Sequence, residues 1–161
     1  MGLDMWLEKE VFVGGYYTPD NVKVDGKDVP VVELNVNGEH FDIDFRKVSS
    51  IREHVAYWRE ANAIHGWFIK NCADEDEECQ NMFVSTWRLV ELRELCQKIL
   101  DEPEGEGRDK LAAEILPPCK EFFFGSTEIG ERYYDQLRYT VEALADITEN
   151  DDCDYYYSYS W

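Results

Sequence analysis

The sequence predicts an α+β fold in which a mostly antiparallel sheet packs against two or three long helices. The sheet is expected to combine N-terminal hairpins with a C-terminal strand. In the first third of the chain, apolar and polar residues alternate with the two-residue period of strands. The period then becomes helical, and it returns to two in the tyrosine- and serine-rich last residues. A length of 161 residues suits a single domain, residues 1–161.

The first third of the chain predicts one strand followed by two hairpins. Leu3, Met5 and Leu7 alternate with less apolar neighbours, which is typical of a strand with one buried face. Asp25-Gly26 and Asn37-Gly38 are type I′ turn signals between short alternating segments. We therefore expect these strands to form an antiparallel sheet with one wet, acidic face.

A stripe of residues spaced three to four apart predicts the first long helix, from about Ser50 to Cys72. Ser50 and Glu53 have the spacing of a capping box at its start. The stripe consists of Ile51, Val55, Trp58, Asn62, His65 and Ile69.

The rest of the chain predicts two more long helices, one short helix and two strands. The long helices are expected after residues 85–86 and 126–127, where serine and threonine offer N-caps. The short helix covers residues 109–115, before a pair of prolines. Residues 82–84 predict a short strand. From Tyr157 onward, aromatic and serine side chains alternate, which predicts a final strand that pairs within the N-terminal sheet.

Composition and charge exclude several classes of protein. The chain has 35 acidic and 16 basic side chains and a formal net charge of −19, yet 44% of its residues are hydrophobic. This content is too apolar for a disordered acidic chain. No apolar run is long enough to span a membrane, and the first residues lack the pattern of a signal peptide. The negative charge argues against direct binding to nucleic acids or anionic membranes.

The spacing of the cysteines and histidines argues against a metal site, and the unpaired cysteines indicate a reducing compartment. Five cysteines occur without the Cys-x-x-Cys spacing of zinc or redox sites. The three histidines are not spaced to complete a metal site. We therefore expect unpaired thiols in a reducing cytoplasm, with no metal and no cofactor.

Two polar residues on the stripe of the first helix form a candidate ligand site. Asn62 and His65 share this stripe with Trp58, and buried amides and imidazoles need hydrogen-bond partners. They either bond to the backbone inside the core or line a small-ligand pocket together with Trp58 and Glu128. His65 is the obvious general base for an enzyme. No serine or cysteine is spaced to act as its nucleophile, so the sequence leans towards a non-enzymatic role.

Clustered carboxylates form a second candidate site, for a protein partner. These partner-binding residues are Asp42, Asp44, Asp74, Glu75, Asp76, Glu77, Glu78, Asp151 and Asp152. A dense carboxylate surface can imitate the closely spaced phosphates of DNA and occupy the basic groove of a DNA-handling enzyme. The alternative is a solvated surface that serves solubility.

Short motifs spread over nearly the whole chain form a specific set. They comprise the Met-Gly-Leu-Asp-Met start, Tyr57-Trp58-Arg59 with Ala61-Asn62, Ile64-His65 and Trp67-Phe68, the run from Phe122 to Glu128, and the end at Ser160-Trp161. Together they resemble an uncharacterised family of small proteins from tailed bacteriophages and prophages. The family has no established activity, so the resemblance implies no catalytic residue. It implies an accessory phage protein, a class that often acts on host defence systems.

Charge and resemblance together predict a non-enzymatic inhibitor in the cytoplasm of an infected bacterium. Its expected partner is a basic nucleic-acid-binding protein of the host, such as a CRISPR effector or restriction nuclease, and the inhibition rests on DNA mimicry. The alternative is a protein that binds or sequesters a small ligand, such as a nucleotide signal, in a pocket around His65. An exposed edge near Val31–Val36 or the C-terminal strand allows a homodimer.

Overall fold

The computed structural model describes residues 2–12, 22–24, 27–29, 35–36, 38–40, 49–73, 81–119, 125–151 and 153–160. Its strands are β1 (Asp4–Phe12), β2 (Val22–Val24), β3 (Lys27–Val29), β4 (Asn35–Val36), β5 (Glu39–His40), β6 (Ser50–Arg59), β7 (Met82–Val84) and β8 (Asp154–Ser160). Its helices are α1 (Asn62–Cys72), α2 (Thr86–Asp101), α3 (Glu106–Ile115) and α4 (Glu131–Ala143). Together they confirm the predicted α+β class.

The main sheet is antiparallel and has four strands in the order β6-β1-β8-β7. β7 pairs with β8 so that Phe83 lies opposite Tyr156. The C-terminal strand β8 therefore lies between β1 and β7, and β7 pairs with its residues Tyr155–Tyr157. The expectation that this strand allows a homodimer stays a prediction. The other expected edge, Val31–Val36, falls mostly outside the described residues.

Both predicted hairpins form, but they make small sheets of their own. β2 pairs with β3, with Val24 opposite Lys27, and β4 pairs with β5, with Val36 opposite Glu39. The Asp-Gly and Asn-Gly pairs of the sequence fall between these paired residues, where the turns were predicted. The expectation that the hairpins build the main sheet is wrong, because β6 and β7 take that place beside β1 and β8.

The first predicted helix is wrong in its N-terminal half. Residues 50–59 form strand β6, and α1 begins at Asn62. Within β6, Ala56 and Trp58 are buried while Tyr57 between them is exposed, which is the two-residue period of a strand. β-branched and aromatic residues favour strands, so the helical spacing of Val55 and Trp58 was coincidental.

The chain divides by its contacts into two compact units, Met1–Lys9 with His54–Trp161 and Glu10–Glu53. The larger unit contains a hydrophobic core between one face of the main sheet and the helices. This core includes Leu3, Met5, Leu7, Ile64, Phe68, Leu89, Leu92, Ile99, Leu137, Tyr155 and Tyr157. The prediction of one domain over residues 1–161 stays a prediction.

Aromatic contacts join the helices to the sheet within this core. The rings of Phe68 on α1 and Tyr157 on β8 are stacked, with centroids 4.0 Å apart and planes inclined by 13°. Both side chains are fully buried. At the edge of the sheet, the Tyr139 hydroxyl of α4 accepts a hydrogen bond from the backbone N–H of Tyr57, at 3.0 Å. The stack fixes α1 on the sheet, and the hydroxyl fixes α4 against β6.

We expect Phe68→Ala to lower the free energy of unfolding by about 3–5 kcal/mol, because it removes a buried ring and leaves a cavity against Tyr157. Phe83→Ala is the matched control, since Phe83 is 55% exposed and its removal changes the free energy of unfolding by less than about 1 kcal/mol. Urea denaturation of both variants measures the difference. Equal losses would contradict the assignment of Phe68 to the core.

Candidate functional site

A strained turn at Glu60 joins β6 to α1. Glu60 has a backbone φ of +54°, in the left-handed region that side chains with a Cβ rarely adopt. Its N–H donates to the carbonyl of Leu3 at 2.7 Å, and its carboxylate pairs with Arg132 at 2.8 Å. Its own carbonyl accepts a hydrogen bond of 3.4 Å from the Gln136 side chain. These contacts tie the start of α1 to the first turns of α4.

Gly125 packs directly on this turn. It has a φ of +82°, and a Cβ added there would lie 2.7 Å from the Glu60 carbonyl oxygen and 3.2 Å from Nδ2 of Asn62. A side chain has no space at this position, and the conformation itself favours glycine. The sequence places glycine here because the backbone of residue 125 must approach Glu60 and Asn62 closely.

Asn62 begins α1 beside this turn and carries a buried amide group without hydrogen-bond partners among the described residues. Its side chain is 1% exposed. Neither Oδ1 nor Nδ2 has a hydrogen-bond partner among the residues that the structure describes. An unpaired buried amide is costly, at about 1–3 kcal/mol for the missing hydrogen bonds. Such a group in a cavity wall is therefore a candidate contact for a ligand.

Asn62 lines a cavity of about 220 Å³, which we call the Asn62 cavity. The cavity lies between the N-terminal ends of α1 and α4. Its other polar wall residues are Glu60, Ser126, Glu128, Glu131, Arg132 and Gln136. Two of the four residues predicted for a ligand pocket, Asn62 and Glu128, thus meet in one wall. Asn62 and Glu128 are 66 residues apart in the chain (128 − 62).

The other two predicted pocket residues lie inside the core and do not line the Asn62 cavity. Trp58 is 2% exposed, and its Nε1–H donates to Thr140 Oγ1 at 2.9 Å. His65 is fully buried, and its Nδ1 lies 2.6 Å from the hydroxyl of Tyr157. The ring of Tyr159 contacts the same imidazole edge-to-face, with centroids 4.7 Å apart. The structure thus favours the core interpretation for His65 and the pocket interpretation for Asn62.

A larger cavity of about 430 Å³ lies between α1, α2 and the residues after α3. Its walls include Trp67, Leu95 and Ile115, and no predicted site residue is among the described residues that line it. The Asn71 amide in its wall already donates to the carbonyl of Trp67 at 2.8 Å. None of the described residues that line this cavity thus carries an unpaired buried polar group like the one in the Asn62 cavity.

The face of the main sheet that points away from the core carries aromatic residues, a feature that the sequence analysis missed. Trp6 and Tyr57 on β1 and β6 have ring centroids 5.9 Å apart, and Phe83 and Tyr156 on β7 and β8 have centroids 6.0 Å apart. We call this the outer sheet face. Tyr57 is 46% and Phe83 is 55% exposed. The predicted wet face is thus only partly polar. The sequence signal for this was an aromatic residue, such as Tyr57, that lies between two residues of the buried face.

Carboxylates accompany these aromatic residues. Asp4, Glu8 and Asp154 alternate with buried neighbours in β1 and β8, so their side chains share the outer sheet face. The Tyr57 hydroxyl donates a short hydrogen bond to Asp4, and this bond raises the pKa of Tyr57. Glu8 lies 3.4 Å from Nδ1 of His54. The face therefore combines apolar rings with acceptor groups.

Most of the predicted partner-binding carboxylates lie outside the described residues. These are Asp42, Asp44, Asp74, Glu75, Asp76, Glu77, Glu78 and Asp152. Asp151 is described, and it accepts hydrogen bonds from the N–H and the hydroxyl of Thr148, at 3.1 and 2.8 Å. These bonds lower the pKa of Asp151. Its carboxylate stabilises a turn, which is a structural use of one predicted site residue.

The described part of the chain has neither a cluster of metal ligands nor a membrane-spanning helix. There, no group of three or more histidine, cysteine, aspartate or glutamate residues is placed to hold a metal ion. No helix among these residues is long and apolar enough to cross a membrane. Cys72, Cys96, Cys119 and Cys153 are unpaired thiols, as predicted for these four.

We expect the buried His65 to make stability depend on pH. Burial lowers the pKa of His65 from 6.5 to about 4, so the unfolded chain takes up this proton at a higher pH than the folded chain. The free energy of unfolding therefore falls as the pH drops from about 6.5 to 4, by up to roughly 3 kcal/mol from this residue. Urea denaturation across this range measures the slope.

In that experiment His65→Gln should lose this part of the slope. His54→Gln is the matched control, because the His54 side chain is 75% exposed, and it should retain the slope. A His65→Gln protein with the pH dependence of the parent would contradict the assignment.

We expect Gly125→Ala to destabilise the protein more than Gly38→Ala. Both glycines have a positive φ, of +82° and +81°, but only Gly125 has atoms within 4 Å of the added Cβ. The left-handed conformation alone costs alanine about 1–2 kcal/mol, which both variants share. The excess for Gly125→Ala, measured by thermal or urea unfolding, reports the contact with Glu60. Equal losses would show that the turn at Glu60 yields without cost.

Comparison with known proteins identifies neither a family nor a protein of similar fold. No protein-family model, curated protein or solved structure matches the chain.

Proposed function

We propose that this protein is an acidic inhibitor, encoded by a phage or prophage, that binds a basic nucleic-acid-handling protein of the bacterial host. A CRISPR effector or a restriction nuclease is the partner class that fits best. The observation that carries the proposal is the outer sheet face, where Trp6, Tyr57 and Phe83 stand beside carboxylates in a chain of net charge −19.

Aromatic residues supply what an interface needs besides charge. Tyrosine and tryptophan are enriched among the residues that dominate binding energy, because they bury much area with few rotatable bonds. Arginine stacks on aromatic faces and pairs with carboxylates. The outer sheet face offers both groups, since Asp4 and Glu8 alternate with Trp6 along β1. It is therefore suited to arginine-rich surfaces, which are typical of proteins that bind nucleic acids.

The net charge supports the same class of partner. A charge of −19 attracts a basic protein over long range and repels nucleic acid and other acidic proteins. The carboxylates at 42, 44, 74–78 and 151–152 remain part of this proposal as phosphate substitutes. Such attraction weakens as salt screens the charges.

We expect the protein to retain basic nucleic-acid-handling proteins from a bacterial lysate at low salt and to release them at high salt. Affinity capture followed by mass spectrometry identifies these proteins, and a DNA-cleavage assay then measures inhibition of each purified nuclease. The double variant Trp6→Ser with Phe83→Ser should inhibit at least about tenfold less, because aromatic interface residues contribute about 2 kcal/mol or more each. The triple variant Asp74→Lys, Glu75→Lys, Asp76→Lys should weaken the salt-dependent part of the binding.

Trp87→Ser is the matched control for this experiment. Trp87 is 50% exposed but lies on α2, and its ring stacks against the guanidinium of Arg88 at 4.0 Å. Inhibition by this variant should equal that of the parent. Inhibition that survives in the double variant, or capture that is insensitive to salt, would contradict the proposal.

A second candidate function is the binding or sequestering of a small ligand, such as a nucleotide signal. One observation favours it, namely the buried Asn62 amide without a partner among the described residues, in the wall of a cavity that Glu128 also lines. The cavity belongs to the helix ends and not to the outer sheet face, so the two functions do not compete for the same residues.

A further inference from the structure

We infer that the Asn62 cavity binds a small zwitterion, a free α-amino acid, by its carboxylate and its ammonium group together. This inference rests on the second candidate function, the binding of a small ligand, and names the chemical class of that ligand. It follows from the donors, the acceptors and the size of one cavity.

Hydrogen-bond donors come from two helix N-termini that meet at the cavity. The cavity wall includes Asn62 and Ala63 of α1, and Glu131 and Arg132 of α4. The first intrahelical bonds start only at the N–H groups of His65 and Tyr134, so the preceding three N–H groups of each helix have no intrahelical partner. Neither N-terminus has a side-chain cap. Such ends carry a partial positive charge and bind carboxylates and phosphates.

Arg132 and Asn62 complete the donor set. The Arg132 guanidinium has five N–H donors, so its ion pair with Glu60 at 2.8 Å leaves donors for a ligand carboxylate. Asn62 brings an amide that is buried and has no partner among the described residues. Its Nδ2 donates, and its Oδ1 accepts from an ammonium group. This buried amide is the second, independent sign of a ligand at these helix ends.

Acceptors for an ammonium group line the same cavity. Glu128 and Glu131 are both exposed at its mouth. The Ser126 hydroxyl already accepts a hydrogen bond from the Glu128 N–H at 3.0 Å, which fixes the backbone next to this carboxylate. The Glu131 carboxylate also pairs with Arg138 at 3.1 Å, and its remaining acceptor sites can still receive a hydrogen bond from a ligand. A cavity with positive helix ends and these carboxylates is suited to a ligand that carries both charges.

Size and charge exclude larger or strongly anionic ligands. A water molecule occupies about 30 Å³ in the liquid, so a cavity of about 220 Å³ holds a solute of about seven non-hydrogen atoms, the size of a small amino acid. A phosphate dianion would meet Glu128 and Glu131 at the mouth of the cavity, in a chain of net charge −19. A zwitterion has no net charge and avoids this repulsion.

The test is calorimetric titration of the full chain with each standard α-amino acid, near neutral pH. We expect at least one to bind with a Kd below about 1 mM. The amine and the carboxylic acid obtained by deleting one charged group of that ligand should each bind at least about tenfold more weakly. Inorganic phosphate, adenosine and adenosine monophosphate serve as probes for the competing ligand classes.

Variants then place the ligand in the cavity. Asn62→Ala should abolish binding, but Asn62 is buried and its replacement can also unfold the protein. Arg132→Gln and Glu128→Gln therefore decide whether the ligand binds in the Asn62 cavity, because both positions are exposed and tolerate substitution. Each should weaken binding about tenfold. Glu142→Gln is the matched control, since Glu142 is exposed on α4 and is not in the cavity wall. This control should bind as the parent does.

The outcomes separate this inference from the candidate function beneath it. Phosphate, adenosine or the nucleotide binding more tightly than every amino acid would overturn the zwitterion and retain a ligand-binding protein. Amino-acid binding that Arg132→Gln and Glu128→Gln leave unchanged would place the ligand elsewhere and overturn the inference. No binding of any probe at concentrations up to ~10 mM would overturn the inference and would exclude these ligand classes for the second candidate function.

Discussion

The backbone of Glu60 holds a left-handed conformation between β6 and α1, and the candidate site is built around it. The conformation costs about 1–2 kcal/mol for a residue with a Cβ. It is stabilised by contacts on three sides, namely the carbonyl of Leu3, the guanidinium of Arg132 and the backbone of Gly125. Strain that surrounding contacts maintain is typical of functional sites. Here its result is geometric, because the sharp turn brings the first residues of α1 to the first residues of α4.

Two polar side chains on α1, His65 and Asn62, have different surroundings. His65 is buried against Tyr157 and Tyr159 and has a hydroxyl at hydrogen-bond distance. Burial lowers the pKa of His65 to about 4, so the imidazole stays neutral at physiological pH. Asn62 lies one turn earlier, beside a cavity, and its amide has no partner within the described residues. The first residue rigidifies the junction of helix and sheet, while the second is available for recognition. The proposed protein partner would contact the opposite side of the sheet, so one molecule has room for both interactions.

Sequence patterns predicted the fold class because most elements obey one period. β1, β8 and the helices α2, α3 and α4 follow the alternation or the helical spacing that predicted them, and the Asp-Gly and Asn-Gly pairs marked both hairpins. β6 was missed because Val55 and Trp58 have a helical spacing by coincidence, and only the turn at Glu60 decides where the helix begins. Of the predicted pocket, Asn62 and Glu128 meet. Trp58 and His65 were indistinguishable from them in sequence, since a helical stripe does not tell a cavity wall from a packed core.

Tyr139 has a consequence for the sheet as a whole. Its hydroxyl occupies the position at the edge of β6 where the carbonyl of an added strand would accept the Tyr57 N–H. The other edge among the described strands is β7, which has only three residues. Natural sheets use short or blocked edges to resist edge-to-edge aggregation. The blocked position on β6 and the shortness of β7 thus disfavour strand addition at these two places, where associating copies would use side-chain surfaces instead of extending the ladder.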